Sequence, residues 1–237
     1  MQQDGSSTGP TAIVPDAAPA APAERGSLLG RYLNMLFKDH AFIRMVYKNM
    51  FQISPRMYRS SQPTPAHVAQ AARLGIKTII NLRGRRDDCG SYFYEKRACE
   101  RHGITLVDFP VNSRDAPKKE KLIEAREIWN RIEYPALMHC KAGSDRVGFM
   151  SALYMFVHEG APVEQAMKQL HWRYGHLRHA KTGILDAFWE SYRDYNAKTP
   201  TDFYTWLDTV YEPVSFKASF MAGWWASLLM DRLLKRE

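Results

Sequence analysis

The sequence predicts an α/β fold, a parallel sheet with helices on both faces. Short apolar, β-branched runs, clearest in Lys77–Leu82 and Pro135–His139, read as buried strands. They alternate with helical stretches of 10–15 residues, as crossover connections require. The punctuation agrees: Gly75 and Gly103 each stop a helix just before a strand.

The elements follow in order. Residues 1–26 hold four prolines, six alanines and three glycines with no aromatic, and read as a disordered tail. The tail lacks the basic start and apolar run of a secretory signal. Residues 27–54 form an N-terminal amphipathic helical extension: Leu28, Leu29, Tyr32, Leu33 and Leu36 recur at helical spacing, then Phe42, Ile43, Val46 and Tyr47, with Arg31, Lys38, Arg44 and Lys48 between them. Residues 55–198 form the main domain. Met57–Arg59 is a short strand, and Thr64 caps a helix running to Leu74. Lys77–Leu82 is a strand, residues 84–90 a charged loop and Tyr92–His102 a helix. Ile104–Phe109 is the next strand, and Pro117–Ile132 a helix rich in Lys and Glu. Pro135–His139 is a strand and Val147–His158 a buried helix, followed by helices over Pro162–Tyr174 and Thr182–Tyr195. Residues 199–237 form a C-terminal helical extension in which Phe216, Phe220, Trp224 and Leu228 follow one another at i, i+4. Its uncharged stretch from Ala218 to Met230 is too short to span a bilayer.

The chain has 237 residues, with 45% hydrophobic and 24% charged residues, which excludes a disordered, collagenous or multi-span membrane protein. Its 33 Lys plus Arg exceed 25 Asp plus Glu by 8, and this +8 balance calls for an anionic partner. Three cysteines make no disulfide framework and fit a reducing, cytoplasmic setting. The terminal helices, with Trp and basic residues, suit either packing on the domain or a peripheral contact on the inner face of a membrane. No nucleic-acid-binding motif is present.

The chemistry lies in His139-Cys140-Lys141-Ala142-Gly143-Ser144-Asp145-Arg146-Val147-Gly148. A cysteine ends a strand and an arginine opens a helix six positions later. Such a loop turns its amides inward to cradle an anion, and the helix N-terminus adds positive potential. Arg146 can grip two phosphate oxygens as a fork, and the same dipoles favour the Cys140 thiolate. Lys141, Ala142, Gly143, Ser144, Asp145 and Arg146 are therefore the expected phosphate-binding residues. Cys140 is the nucleophile, and His139 orients the loop through ring hydrogen bonds.

This stretch resembles the His-Cys-x5-Arg signature of the cysteine-dependent phosphatase superfamily. With Tyr58-Arg59-Ser60-Ser61-Gln62-Pro63 and Ile79-Ile80-Asn81-Leu82-Arg83, it is similar to the compact bacterial dual-specificity group. Over residues 55–195 the resemblance implies a three-layer α/β/α sandwich and a phosphomonoester hydrolase working through a cysteinyl-phosphate, with no metal or cofactor. The implied partner is a phosphorylated substrate: a phosphotyrosine protein, or a phospholipid or inositol phosphate. Lys141 is similar to the lysine of tensin-related phosphoinositide phosphatases, whose second lysine is here Ser144. Where many members carry Ser or Thr after the arginine, this chain has Val147, which leaves a non-catalytic phosphate-binding module as an alternative. The general acid expected some 25–40 residues before the cysteine is Asp115, 25 residues upstream, ahead of Asp108 within a strand. The alternative is Asp145, which resembles the acid of myotubularin-type enzymes. Cys89 or Cys99 would be partners for an oxidised Cys140, or plain thiols. His171, Trp172, His176 and His179 read as packing or surface residues.

Overall fold

The computed structural model of the chain describes residues 27–39 and 49–234. A five-stranded sheet forms its centre: β1 (Phe51–Ser54), β2 (Met57–Ser60), β3 (Thr78–Asn81), β4 (Thr105–Asp108) and β5 (Ala136–His139). The spatial order is β1-β2-β5-β3-β4, parallel throughout except for the antiparallel edge strand β1. Register puts Ser60, His139, Asn81 and Asp108 in one row across the last residues of the four parallel strands. The carboxyl edge of a parallel sheet is where ligand sites form in open α/β folds, and here it is polar.

The period-2 alternation of strands divides the core in two. Ile79 and Leu137 face one side, where they meet Val68 and Ala71 of α2 (Pro65–Arg73) and Ala98 and Cys99 of α3 (Gly90–His102). Ile80, Ala136 and Met138 face the other, against α4 (Lys119–Arg131) and α5 (Asp145–Leu153), the latter running on into a π-helical turn at Tyr154–His158. The result is the expected three-layer sandwich. Thr64 caps α2 in a reciprocal capping box with His67, and Gly75 and Gly103 take positive φ of 77° and 64° where the chain turns from helix towards strand.

The chain departs from the sequence reading in three places. Within 27–54, helix covers α1 (Leu28–Leu33) and a π-helical turn at Asn34–Lys38, residues 40–48 lie outside the described residues, and Phe51–Ser54 is a strand. The pairing partner β2 decides this, because the Pro55 turn folds β1 back onto it. The helix expected over 162–174 is only α6 (Val163–Met167), followed by a 3-10 turn at Trp172–Tyr174. Helix is interrupted where the backbone must offer the Gln169 and Tyr174 carbonyls to Arg59 and Asn49. Third, 199–237 is not simply an appendage. After α7 (Ile184–Lys198), helix α8 (Phe203–Thr209) buries Phe203, Trp206 and Leu207 in the main core against Phe188, Trp189 and Tyr192.

The long α9 (Pro213–Leu234) then lies half-buried through Phe216 and Phe220, which pack on that core, while Val214 and Trp225 are exposed. Among the described residues no helix is long and apolar enough to cross a membrane. The tail at 1–26 lies outside the described residues.

If α8 is integral to the core, Trp206→Ala should cost about 3–5 kcal/mol in urea unfolding, as for a fully buried Trp. A cost below about 1 kcal/mol would make it a detachable segment.

Candidate active site

The loop Cys140–Ser144 leaves the end of β5 and feeds α5, whose first residue is Asp145. Its shape is held from beneath. Arg59, fully buried on β2, donates from Nη2 to the carbonyls of Gly143 (2.8 Å) and Ser144 (3.3 Å), and from Nη1 to the Gln169 carbonyl (2.8 Å) and side chain (2.9 Å). The guanidinium stacks 4.0 Å over the Tyr174 ring. Asn49 Nδ2 lies within 3.0 Å of the carbonyls of Ala142, Gly143 and Tyr174.

With its carbonyls committed to these donors, the loop directs its amides elsewhere. Among the described residues, nothing accepts from the amides of 141–146. Gly143 sits at φ 78°, and a Cβ there would lie 2.8 Å from Asn49 Nδ2 and from the Ser61 amide nitrogen. Only glycine fits this turn.

Cys140 is buried at the base of the loop, 3% exposed. Arg146 lies half-exposed in the first turn of α5, without a hydrogen bond or ion pair among the described residues. Thus the structure brings together the nucleophile candidate, a row of uncommitted amides and one uncommitted guanidinium. Val147 is buried in the core, so no hydroxyl follows the arginine.

Buried His139 places Nδ1 3.3 Å from the Cys140 carbonyl and Nε2 2.7 Å from Glu95 of α3. Gln62 continues this chain: its Nε2 donates to Glu95, its backbone amide donates to the Lys141 carbonyl (3.2 Å), and its Oε1 accepts from Arg83 (2.6 Å). Arg83 meets Asp39 bidentately at 3.0 Å, and Lys141 Nζ lies 3.5 Å from Asp39. Burial opposes the Arg83 charge, yet the Asp39 hydrogen bond and charge outweigh it and raise its pKa. Asp39 thereby ties the N-terminal segment to the rim of the site.

The acid candidates have different settings. Asp108 is consumed structurally, accepting from Asn81 (2.8 Å) and from the Tyr92 hydroxyl (2.6 Å). Asp115 pairs with Lys217 of α9 at 2.9 Å and accepts from the Ala116 amide; the Lys217 hydrogen bond holds its carboxyl below the usual range. Asp145 contacts His176 instead: Asp145 Oδ1 lies 2.7 Å from Nδ1, and Asp186 Oδ2 lies 2.7 Å from Nε2 on the other side of the ring. Burial opposes the charged imidazole, but the two carboxylates prevail and push His176 up to about 9.

Sequence reasoning missed Asn49, Gln62, Glu95, Asp39 and Asp186, and treated His176 as packing or surface. Arg59 and Gln62 stood inside the quoted Tyr58–Pro63 stretch, the only signal available for them. Asn49 and Asp186 lie 91 residues before and 46 after Cys140, beyond the reach of any local spacing. Cys89, Cys99 and Cys140 are all buried and unpaired, and burial, aided by Glu95, pushes the Cys99 thiol up. Among the described residues, no group of three His, Cys, Asp or Glu is arranged to hold a metal ion.

A cysteine at a strand end, an amide cradle and an arginine in the first turn of the next helix define the class. That class is the cysteine-dependent phosphatase superfamily in its dual-specificity-like branch, and the family that this chain matches falls within it. Residues 47–183, more than half of the chain, match the family described as DSP-PTPase phosphatase fused to NAD+ kinase, and the chain belongs to that family. It is 28% identical over 123 residues to the dual specificity protein phosphatase TpbA of Pseudomonas aeruginosa strain UCBPP-PA14, covering 52% of this chain and 53% of that protein. The same figures hold for TpbA of strain PAO1, so the chain spans about half the length of the curated relatives it matches. The crystal structure of P. aeruginosa TpbA superposes with a TM-score of 0.50 at 24% identity, covering 62% of this chain and 86% of that one, a likeness of fold.

The His176 bridge carries a pH signature. Its pKa is raised above the unfolded value, so its stabilisation is fully present below about pH 6.5 and is lost as pH rises through about 9. Urea midpoints of the wild type should fall across that window, and those of His176→Asn should fall less. Equal declines in the two proteins would show that the bridge contributes nothing.

Proposed function

We propose that this chain is a phosphomonoester hydrolase of the tyrosine or dual-specificity type, with Cys140 as nucleophile. The observation that carries this reading is the loop itself. Arg59 and Asn49 take up its carbonyls, its amides and Arg146 are uncommitted among the described residues, and Cys140 sits at its base. Phosphate oxygens are the acceptors such an array suits. Cys140 Sγ would attack phosphorus, the ester oxygen would leave, and water would then hydrolyse the cysteinyl-phosphate. The buried Val147 supplies no hydroxyl to the departing thiolate in the second step, so hydrolysis of the intermediate is expected to be the slower step.

Of the two carboxylates weighed as general acid, the geometry favours Asp145 over Asp115. The Lys217 ammonium keeps Asp115 deprotonated, whereas Asp145 adjoins Arg146 in the chain and faces a proton-bearing ring. Relatives named as dual-specificity phosphatases support phosphotyrosine as one substrate. A second reading is a phospholipid substrate at a membrane surface. It is favoured by the exposed row Leu28, Leu29, Leu33 and Phe37 on α1 and its following turn, the segment that also carries Asp39 to Arg83.

Wild type should hydrolyse p-nitrophenyl phosphate and a phosphotyrosine peptide, and Cys140→Ser should abolish both. Undiminished turnover by Cys140→Ser would overturn the reading. The lipid reading expects faster turnover of phosphatidylglycerophosphate in anionic vesicles than of the peptide, with that advantage lost in Leu29→Ser/Phe37→Ser. Equal lipid turnover by that variant would remove it.

A further inference from the structure

The bridge behind Asp145 has a part that a packing role does not require. His176 lies on the loop between the 3-10 turn at Trp172–Tyr174 and α7, with its side chain 1% exposed. Both ring nitrogens face carboxylates at 2.7 Å, Asp145 from α5 and Asp186 from α7. Two acceptors on opposite sides of one imidazole are both satisfied only when each nitrogen carries a hydrogen. The group then holds one more proton than a neutral ring between two carboxylates would. Asp186 is 8% exposed overall, whereas the Asp145 side chain is 28% exposed, and Asp145 precedes Arg146 directly. The outlet for that proton is therefore Asp145, at the loop.

We propose that His176 is a positioning residue for the phosphatase reaction: backed by Asp186, it fixes Asp145 beside Arg146 and supplies the proton that Asp145 delivers to the leaving-group oxygen. The inference rests on the Cys140 reading above and deepens it.

The steps balance. The Cys140 Sγ–P bond forms as the bond from phosphorus to the ester oxygen breaks. The ester oxygen takes a proton from Asp145, which takes one from His176 Nδ1. The neutral ring keeps its Nε2 hydrogen on Asp186. In the second half, the oxygen of water bonds to phosphorus as the S–P bond breaks. The proton lost by water returns to Asp145 and from there to His176. The charged groups acting on the ring are Asp145 and Asp186, and together they hold its proton up to about pH 9, so it is available at neutral pH. Asp115 offers no equivalent source, because its partner Lys217 lowers its affinity for a proton.

The test compares p-nitrophenyl phosphate, whose oxygen leaves as an anion, with phenyl phosphate, whose oxygen needs a proton. In His176→Asn, kcat/KM on phenyl phosphate, which reports the step that expels the ester oxygen, should fall about 100-fold and on p-nitrophenyl phosphate less than about threefold. Asp145→Asn should show the same split, and the double variant should add little. Asp186→Asn, which keeps the ring and removes one carboxylate, should move the alkaline limb of kcat/KM on phenyl phosphate to lower pH. Equal losses on both esters in His176→Asn with no shift of that limb in Asp186→Asn would reduce the bridge to packing and overturn the proposal. So would the leaving-group split appearing in Asp115→Asn and not in Asp145→Asn. Failure of the underlying reading has a separate mark: Cys140→Ser would retain p-nitrophenyl phosphate turnover.

Discussion

One buried cation organises this molecule. Arg59 is fully enclosed at the sheet, and burying an unpaired guanidinium would be prohibitive. Its charge is met by carbonyls of the phosphate loop and of the segment after α6, with the Tyr174 ring beneath it. The dependence runs both ways. The loop keeps its anion-accepting shape because Arg59 turns its carbonyls inward, and Arg59 is tolerated because those carbonyls are there. The helix expected over 162–174 is broken for the same reason, since an unbroken helix would have kept those carbonyls for itself.

Around that centre, charge is arranged in two arms. One runs from His139 through Glu95 and Gln62 to Arg83 and Asp39, reaching the N-terminal segment. The other runs from Asp145 through His176 to Asp186 on α7. Some of the cations are committed, Arg83 to Asp39 and Lys217 to Asp115, and these pairs leave the net +8 of the sequence unchanged. Arg146 remains uncommitted among the described residues. Local charge, more than net charge, fits the loop to an anion.

Much of the fold was legible in the sequence because its signals are local. The apolar runs at Lys77–Leu82 and Pro135–His139, Thr64 as a cap, and Gly75 and Gly103 as stops each depend on a few neighbouring residues. Phe51–Ser54 was not legible, since four residues carry no period and only pairing with β2 makes them a strand. Phe203 and Trp206 looked like part of an appendage because burial against Phe188 and Tyr192 is a tertiary fact. At the site, the run from Cys140 to Arg146 is contiguous and could be read. Its supports are scattered from Asn49 to Asp186, and nothing in the spacing of His176 distinguishes a ring between two carboxylates from a surface histidine.

On the reading proposed above, the cradle at the end of β5 serves covalent phosphoryl transfer to Cys140. Mixing the protein with p-nitrophenyl phosphate, quenching in acid within the first turnovers and mapping phosphate by mass spectrometry tests it directly. A phosphate adduct confined to the Cys140 peptide, formed at least as fast as steady-state turnover and absent from Cys140→Ala, is the predicted result. Sustained hydrolysis with no adduct at Cys140 at any quench time would contradict it.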